Sequence, residues 1–475
     1  MSEDARATVL ITVDSLRADA LDLTSDSSHT PALRDLAGEA TVFENAFAQG
    51  NWTPFSFPSI LGGAPVFADG PRIGVGNGPT LAETLGRSGM ATGGFNASNG
   101  FLTAYWGYDR GFEEFETYHA EASNPLSKFL SAHPTWQAWS QFATQPFRAA
   151  ARRLRGQESY PAENTSRMRD VENAAVSFIE AQDGEFFCWI HYMDTHTPYV
   201  PAPVNVRAVT GEDYGTLRML SPHLRTGLGR EVGPETLADL RTLYRAAAHQ
   251  VDQSIGRVLD ALEREGIRDE TTVVVAGDHG EEFMEHGHLS HYPKLYRELT
   301  HVPFVVDAPD TPSRRVESPV ALDAIPPTLC DLHGLQRPEG FTADSLLPTL
   351  RDGEEPDAAP IVSVTVRGDS VTQQPIPRNL GDGDTVVSVR DERWTYIECP
   401  AADERELYDR SVDPEERENR WDEAADEPGV AELCRAAQRR LDALATVAGE
   451  HDGESDEEEE VPEELEDRLG ALGYR

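Results

Sequence analysis

Side chains that could carry chemistry follow three short apolar runs of this sequence. They are Asp14 after residues 7–13, Asp194 and His196 after residues 185–191, and Asp278 and His279 after residues 271–276. A single aspartate in such a place usually caps a helix or forms a turn, and a single histidine usually lies hydrogen-bonded in a core. The repetition favours a shared role, because carboxylate oxygens with one or two imidazoles suit a divalent cation such as Mn, Mg, Ca or Zn.

Thr53 adds a hydroxyl to this set, in a loop that follows another short apolar run at residues 43–48. A metal ion beside a hydroxyl lowers the pKa of that hydroxyl and stabilises negative charge on a phosphoryl or sulfuryl oxygen. The residue types therefore indicate the transfer of a tetrahedral anionic group.

The apolar runs are typical of buried strands, because they are short and rich in β-branched and aromatic residues. A further run covers residues 302–306, and helical patterns lie between the runs at residues 30–37, 80–88, 163–179 and 234–265. Strands that alternate with helices predict an α/β fold with a mostly parallel sheet flanked by helices. In open sheets of this kind, ligands bind outside the carboxyl ends of the strands.

The organisation changes along the chain. Residues 1–355 form the predicted catalytic domain, and residues 356–448 form a small C-terminal antiparallel α+β subdomain with strands at 385–390 and 393–399 and a helix at 428–447. Residues 449–475 form an acidic tail, which serves either solvation, the role we favour, or the binding of a partner.

Residues 120–160 interrupt the alternation of strands and helices. They contain Trp136 and Trp139, followed by four arginines between residues 148 and 155. This composition predicts a helical insertion, either a lid or a peripheral helical pair packed on the core. A role with an anionic substrate or a membrane surface stays open.

The net charge of the chain is extreme. Its 475 residues include 41 basic and 83 acidic ones, which gives a formal net charge of −42. Such a polyanion repels nucleic acid and anionic lipid unless it has a local basic groove. Because 39% of the residues are hydrophobic, we predict a folded protein and not a disordered one.

Lysine is nearly missing from the sequence. Lys128 and Lys294 are its two lysines, so arginine supplies almost all of the positive charge. Acidic excess with little lysine resembles the proteins of salt-accumulating halophiles, especially haloarchaea, because a carboxylate surface stays hydrated in molar salt that screens its self-repulsion. The acidic tail alone does not explain the excess, since residues 450–467 hold 12 of the acids.

The remaining features favour a protein of the salt-rich cytoplasm. The four cysteines lack the spacing of a zinc site or a disulfide framework and are interpreted as small buried residues. The first residues are acidic where a secretion signal has bases, and no apolar run approaches the ~18 residues of a membrane span. We expect no nucleic-acid partner and no integral membrane segment.

Five stretches, taken in order, resemble the motifs of the sulfatase branch of the alkaline phosphatase superfamily. They are residues 13–19, 52–63, 191–199, 278–288 and 406–416. The closing Leu472-Gly473-Tyr474 is common in that family too. Each stretch is weak alone, but the five in order identify the chain as a member. The resemblance implies an alkaline-phosphatase-like fold and metal-dependent chemistry on anionic esters.

The resemblance also implies roles for single residues. Asp14, Asp278 and His279 would bind the metal. Thr53 stands where sulfatases carry the cysteine or serine that is converted to formylglycine. His196 would contact the anionic group or protonate the leaving oxygen.

The resemblance further implies that His291 and Lys294 contact the substrate or bind metal. We also expect Asn99 and Asp194 to contact the substrate. Lys294 is either such a contact or an ordinary surface charge. Asn99, like Asn96, either contacts the anion or caps a loop.

The sequence departs from the family pattern around Thr53. Formylglycine formation needs Cys or Ser in a Cys/Ser-x-Pro-x-Arg context, and residues 53–57 contain neither cysteine nor arginine. If the motif is shifted to begin at Ser56, serine and proline stand at the correct positions, but the arginine is still missing. The missing arginine also removes one residue that is expected to bind the anion. A threonine here resembles the branch of phosphodiesterases and phosphoglycerol or phosphoethanolamine transferases that use the hydroxyl directly. Ser15 stands where many sulfatases have a second aspartate, so we expect fewer or different metal ligands than in a calcium sulfatase.

The sequence thus predicts a metal-dependent hydrolase that cleaves a sulfate ester, a phosphate ester or a phosphodiester, small or glycan-linked. Thr53 would be its nucleophile or a metal-bound hydroxyl. One alternative is a transferase that moves a phospho or sulfo group onto cell-surface glycan. Another is a degenerate member that binds without catalysis.

Overall fold

The computed structural model of the chain describes residues 6–25, 29–97, 99–118, 167–357, 359–368 and 376–451, with residues 461, 462, 465, 466 and 469. The predicted insertion at 120–160 and most of the predicted acidic tail lie outside the described residues.

An eight-stranded sheet forms the centre of the molecule. In order across the sheet, its strands are β12 (Arg314–Val316), β2 (Thr41–Phe43), β11 (Phe304–Asp307), β7 (Thr271–Gly277), β1 (Ala7–Val13), β6 (Phe186–Tyr192), β4 (Ala91–Ala97) and β5 (Glu114–Tyr118). Among these described strands, β11 alone runs antiparallel to its neighbours.

Three smaller sheets accompany the large one in the described part of the chain. The first contains β10 (His301–Val302), β3 (Ala46–Phe47) and β13 (Val320–Ala321), and the second contains β8 (Glu282–Phe283) and β9 (Leu289–Ser290). The third is an antiparallel C-terminal sheet of β14 (Ile361–Arg367), β15 (Asp384–Arg390), β16 (Trp394–Cys399) and β17 (Glu404–Asp409).

The α-helices of the described residues are α1 (Pro31–Glu39), α2 (Thr53–Gly62), α3 (Leu81–Arg87), α4 (Met168–Glu180), α5 (Pro203–Thr210), α6 (Thr216–Gly227), α7 (Pro234–Arg264), α8 (Arg297–Thr300), α9 (Ile325–Leu332), α10 (Leu347–Asp352), α11 (Trp421–Ala424) and α12 (Val430–His451). None of them is long and apolar enough to cross a membrane.

Helices cover both faces of the large sheet because its central strands are apolar on both sides. Val9 and Ile11 of β1 pack in a core with residues of α4 and α7. Leu10 of the same strand lies in a second core with residues of α2, α3 and α9. The prediction of a mostly parallel sheet flanked by helices, with a small antiparallel C-terminal subdomain, is confirmed.

Two predicted strands are broken in the structure. Residues 43–48 contribute to β2 and β3, which a turn at residues 44–45 separates into different sheets. Residues 302–306 contribute to β10 and β11, which are separated at Pro303, a residue without a backbone N–H to donate. The prediction of a loop at Thr53 was also wrong, since Thr53 is the first residue of α2.

Sequence reasoning overlooked β4 because Gly93 and Gly94 interrupt its apolar pattern. A Cβ atom at Gly93 would lie 2.9 Å from the ring of Phe178, and one at Gly94 would lie 3.0 Å from the ring of Phe115. The two glycines therefore let aromatic rings pack directly on the backbone of a buried strand.

Candidate metal-binding and catalytic site

Four neighbouring parallel strands, β7, β1, β6 and β4, end at one edge of the large sheet. Asp278 directly follows β7 and Asp14 directly follows β1. His196 and Asn99 lie a few residues beyond the ends of β6 and β4. The topology thus brings together residues that lie far apart in the sequence.

Asp14, Asp278 and His279 form a compact buried cluster. One ligand atom of each lies within 4.8 Å of the others. Nε2 of His279 is 3.6 Å from Oδ1 of Asp14 and 3.7 Å from Oδ2 of Asp278. Nδ1 of His279 donates a hydrogen bond to the carbonyl of Gly280 at 2.9 Å, so the lone pair of the neutral ring is on Nε2, towards the carboxylates.

The electrostatics of this cluster favour a bound cation. Burial raises the pKa of Asp278 well above its usual range, and the charge of Asp14 raises it further. Burial also opposes ionisation of Asp14, but His196 and the other surrounding imidazoles outweigh it and hold the pKa of Asp14 below its usual range. Burial lowers the pKa of His279 to about 4, which keeps this ring neutral.

The donor set fits a divalent cation. Oδ2 of Asp278 is buried and accepts no hydrogen bond from the described residues. Two buried carboxylates this close cannot both ionise without a compensating positive charge. Two carboxylates and one neutral imidazole are ligands for such an ion.

The hydroxyl of Thr53 lies against this cluster. It donates a hydrogen bond to Oδ2 of Asp14 at 3.2 Å and lies 3.5 Å from Nε2 of His279. Trp52 is the extended N-cap of α2, and Pro54 suits the first turn of a helix because its missing N–H is not needed there. The positive end of the helix dipole therefore adjoins a hydroxyl on which negative charge could develop.

Asn99 also belongs to the site. Its Nδ2 donates to Oδ2 of Asp14 at 2.9 Å and to Oγ1 of Thr53 at 3.2 Å. Asn96 has a different place, because its Nδ2 donates to the carbonyl of Leu102 at 3.1 Å and to Oγ1 of Thr117 at 3.3 Å. Asn96 thus braces the loop that carries Asn99.

His196 and His291 lie side by side next to the cluster. Their ring centroids are 4.9 Å apart, and the centroid of His291 is 5.2 Å from that of His279. Nδ1 of His196 donates to the carbonyl of Thr197 at 2.6 Å. Burial lowers the pKa of His196, although the charge of Asp14 acts in the opposite direction.

Sequence reasoning missed the residues that hold His291. Oε2 of the fully buried Glu281 lies 3.1 Å from Nδ1 of His291, and Oε1 of Glu281 accepts a short hydrogen bond from the hydroxyl of Tyr199. Both residues stand in the motif stretches, but only the fold reveals that they meet.

His191 is another residue that sequence reasoning did not single out. It lies on β6 with Nε2 3.6 Å from Oδ2 of Asp14 and Nδ1 2.9 Å from the hydroxyl of Thr12. The sequence feature that could have indicated His191 is that it is a polar residue in the apolar run at 185–191.

Two predicted substrate-binding residues contact partners outside the cluster. Nζ of Lys294 lies 3.1 Å from Oε1 of Glu406 and 3.8 Å from Oε2 of Glu404, both on β17. Oδ1 of Asp194 accepts a hydrogen bond of 2.6 Å from Nε2 of Gln250 on α7.

The fold and the site together define an α/β protein of the alkaline phosphatase superfamily. Residues 6–335 match the family model described as Sulfatase, which is more than half of the chain. The chain therefore belongs to the sulfatase family.

Known proteins match parts of the chain. Arylsulfatase K of Xenopus laevis is 27% identical over 188 residues, which are 39% of this chain and 34% of that protein. The multifunctional alkaline phosphatase superfamily protein PehA of Trinickia caryophylli is 25% identical over 303 residues, which are 56% of this chain and 57% of that protein. The chain thus spans between about a third and somewhat over half of the length of these relatives.

A solved structure is similar over nearly the whole chain. The crystal structure of the phosphonate monoester hydrolase of Agrobacterium radiobacter has a TM-score of 0.68 at 20% sequence identity, and the match covers 93% of this chain and 96% of that one. At this identity the similarity establishes the fold.

Proposed function

We propose that the protein is a metal-dependent hydrolase of sulfate esters, phosphate esters or phosphodiesters, and that Thr53 is its nucleophile. The observation that carries this proposal is the place of the Thr53 hydroxyl, 3.2 Å from Oδ2 of Asp14 and 3.5 Å from Nε2 of His279. The names of the related proteins, which include sulfatases and a multifunctional alkaline phosphatase superfamily protein, support this class of substrate.

Asp14, Asp278 and His279 would hold the cation, with Thr53 beside them. When bound, the cation would supply positive charge that lowers the pKa of the Thr53 hydroxyl and stabilises negative charge on the transferred group. Asn99 holds the threonine oxygen in place through its Nδ2 group.

In the first half of the reaction, Oγ1 of Thr53 attacks the sulfur or phosphorus atom of the ester. A bond from this oxygen to sulfur or phosphorus forms, and the bond to the leaving oxygen breaks. Nε2 of neutral His196 accepts the proton that leaves Thr53 and gives it to the leaving oxygen, because its Nδ1–H is held by the carbonyl of Thr197.

Water completes the cycle. It attacks the same sulfur or phosphorus atom and gives a proton to Nε2 of His196, and His196 passes this proton to Oγ1 of Thr53 as the bond to Thr53 breaks. Free sulfate, free phosphate or, from a phosphodiester, a phosphate monoester leaves, and both residues return to their starting states.

A turnover panel tests this function. The purified protein is assayed in molar KCl, which screens its net charge of −42, on an aryl sulfate, an aryl phosphate and a bis-aryl phosphodiester, each with Mn, Mg, Ca or Zn. Thr53→Ala should lower turnover by at least ~10³-fold, as expected for loss of a nucleophile. Ser56→Ala is the matched control, because Ser56 lies on the same helix and its hydroxyl donates to the carbonyl of Gly50.

The outcomes separate the alternatives. Full activity of Thr53→Ala would overturn the assignment of the nucleophile. Label that appears on an acceptor sugar, and not in water, would favour a transferase. No turnover on any ester, with no bound metal in the purified protein, would favour a binding protein.

A further inference from the structure

Leu469, near the end of the chain, packs against the loop that carries Asn99. A Cβ atom at Gly100 would lie 2.8 Å from Cδ2 of Leu469 and 3.3 Å from its Cγ. Leu469 is fully buried and shares one apolar core with Phe101 and Leu102. The side chain of Leu469 therefore packs directly on the backbone of Gly100, in the space that a Cβ atom at position 100 would occupy.

The contact lies one residue from the active site. Asn99 precedes Gly100, and its Nδ2 donates to Asp14 and to Thr53. Its Oδ1 accepts a hydrogen bond of 2.9 Å from the backbone N–H of Phe101. A shift of the backbone at Gly100 would therefore move the amide that holds the threonine oxygen.

Other contacts tie the chain end to the body of the protein. Leu465 is 5% exposed and belongs to the same core as Leu469. Glu466 pairs with Arg378 at 2.5 Å, and the carbonyl of Arg378 accepts a hydrogen bond from Ile73. Because Gly100 and Leu469 lie so far apart in the sequence, packing and not chain connectivity brings them together.

We propose that Leu469 is a positioning residue, which holds Asn99 in its place at the active site by packing against Gly100. The proposal rests on the proposed function. Truncation of a buried leucine leaves a cavity that its neighbours fill only in part. A loop released in this way misplaces Asn99, and small misplacements at a reacting group lower kcat more than substrate binding.

The test compares two identical truncations. Leu469→Ala should lower kcat by about tenfold with a smaller change in KM. Leu465→Ala removes the same atoms from the same segment of the chain and should change kcat by less than about twofold. Equal losses of kcat in the two variants would overturn the proposal, because they would indicate a general effect of packing.

A double-mutant cycle supplies a readout that a structural role would not give. On an Asn99→Ala background, Leu469→Ala should cause no further loss of kcat, because the group that it positions is already gone. A loss by the same factor on both backgrounds would refute the positioning role.

Gly100→Ala alters the same contact by changing the other residue in it. This variant tests the proposal if Leu469→Ala does not fold. The added methyl group meets Cδ2 of Leu469, so kcat should fall, and adding Leu469→Ala should restore part of it. Wild-type kcat in Gly100→Ala would contradict the proposal. Thr53→Ala is assayed in parallel, because its full activity would refute the proposed function whatever the variants at Leu469 and Gly100 show.

Discussion

Asp14 and Asp278 occupy matching positions at the ends of two neighbouring parallel strands, because the β1–β7 ladder aligns Val13 with Gly277. The register of two strands thus sets two carboxylates side by side in a buried place. The fold itself therefore creates an electrostatic repulsion that a cation would relieve.

Asp278→Asn should remove the response of the protein to metal without unfolding it. Oδ1 of Asp278 accepts hydrogen bonds from the backbone N–H groups of Ser15 and His279, and an asparagine oxygen can still accept both. The wild-type melting temperature should rise when Mn²⁺ is added to EDTA-treated protein, by the equivalent of about 2.7 kcal/mol at a hundredfold excess over Kd. The variant should show little rise, and its metal-free form should melt no lower than the wild type.

Asp183→Asn, the same change at an exposed residue, is the control and should keep the full response to metal. An unchanged metal-dependent rise in Asp278→Asn would show that Asp278 is not a ligand.

Tyr199→Phe should lower kcat by about three- to tenfold, because it removes the hydrogen bond that fixes Glu281 against His291. Glu281→Gln should have a larger effect, since it also removes the negative charge beside His291. Steady-state kinetics at fixed metal concentration measures both variants. Tyr214→Phe, in the same apolar cluster as Tyr199, should leave kcat unchanged, and an equal loss there would contradict the role of the Tyr199 hydroxyl.

Lys294→Met should affect stability more than substrate binding, because Nζ of Lys294 pairs with Glu406 and Glu404. We expect KM to change by less than about twofold and the free energy of unfolding to fall by about 1 kcal/mol, as for a partly exposed ion pair. A rise of KM by tenfold or more would instead support the substrate contact that the family resemblance implies. The exchange Lys294→Glu with Glu406→Lys should recover the lost stability.

Acid should destabilise the protein in part through His223. This buried side chain donates from Nε2 to the carbonyl of Tyr199 at 2.9 Å, and burial lowers its pKa to about 4 from an ordinary value of 6.5. The folded state thus disfavours the protonated ring, so the contribution of His223 to stability is complete above pH 6.5 and is lost as the pH falls towards 4. The loss amounts to about 3 kcal/mol.

His223→Gln provides the comparison, because glutamine can donate an N–H group to the same carbonyl and does not titrate. Denaturant unfolding at pH 7 and pH 4 should show a smaller loss of stability in this variant than in the wild type. Parallel losses in the two proteins would contradict the assignment to His223.

Sequence reasoning located the centre of the fold because the strands that build it are short, apolar and end in acids. β1 was predicted with its observed bounds, and β6 and β7 within one residue of theirs. For the same reason the side chains at the strand ends could be grouped before their distances were known, and the family resemblance then selected Asp14, Asp278 and His279 as metal ligands. That neighbouring parallel strands bring their carboxyl ends to one edge of a sheet can be inferred without knowledge of side-chain packing.

The remainder of the site depends on contacts that no local pattern reveals. β4 was overlooked because its two glycines look like a turn until the rings of Phe178 and Phe115 are placed against them. The meeting of Tyr199, Glu281 and His291 joins three loop segments. The partners of Lys294 lie on β17, in another sheet of the protein.

The order of the strands also determines when the site can exist. β1 begins the described chain yet lies between β6 and β7, whose residues follow it by well over a hundred positions. A ribosome releases Asp14 and Thr53 long before Asp278 and His279 have been synthesised. The cluster of Asp14, Thr53, Asp278 and His279 can therefore assemble only after the chain has been synthesised past His279.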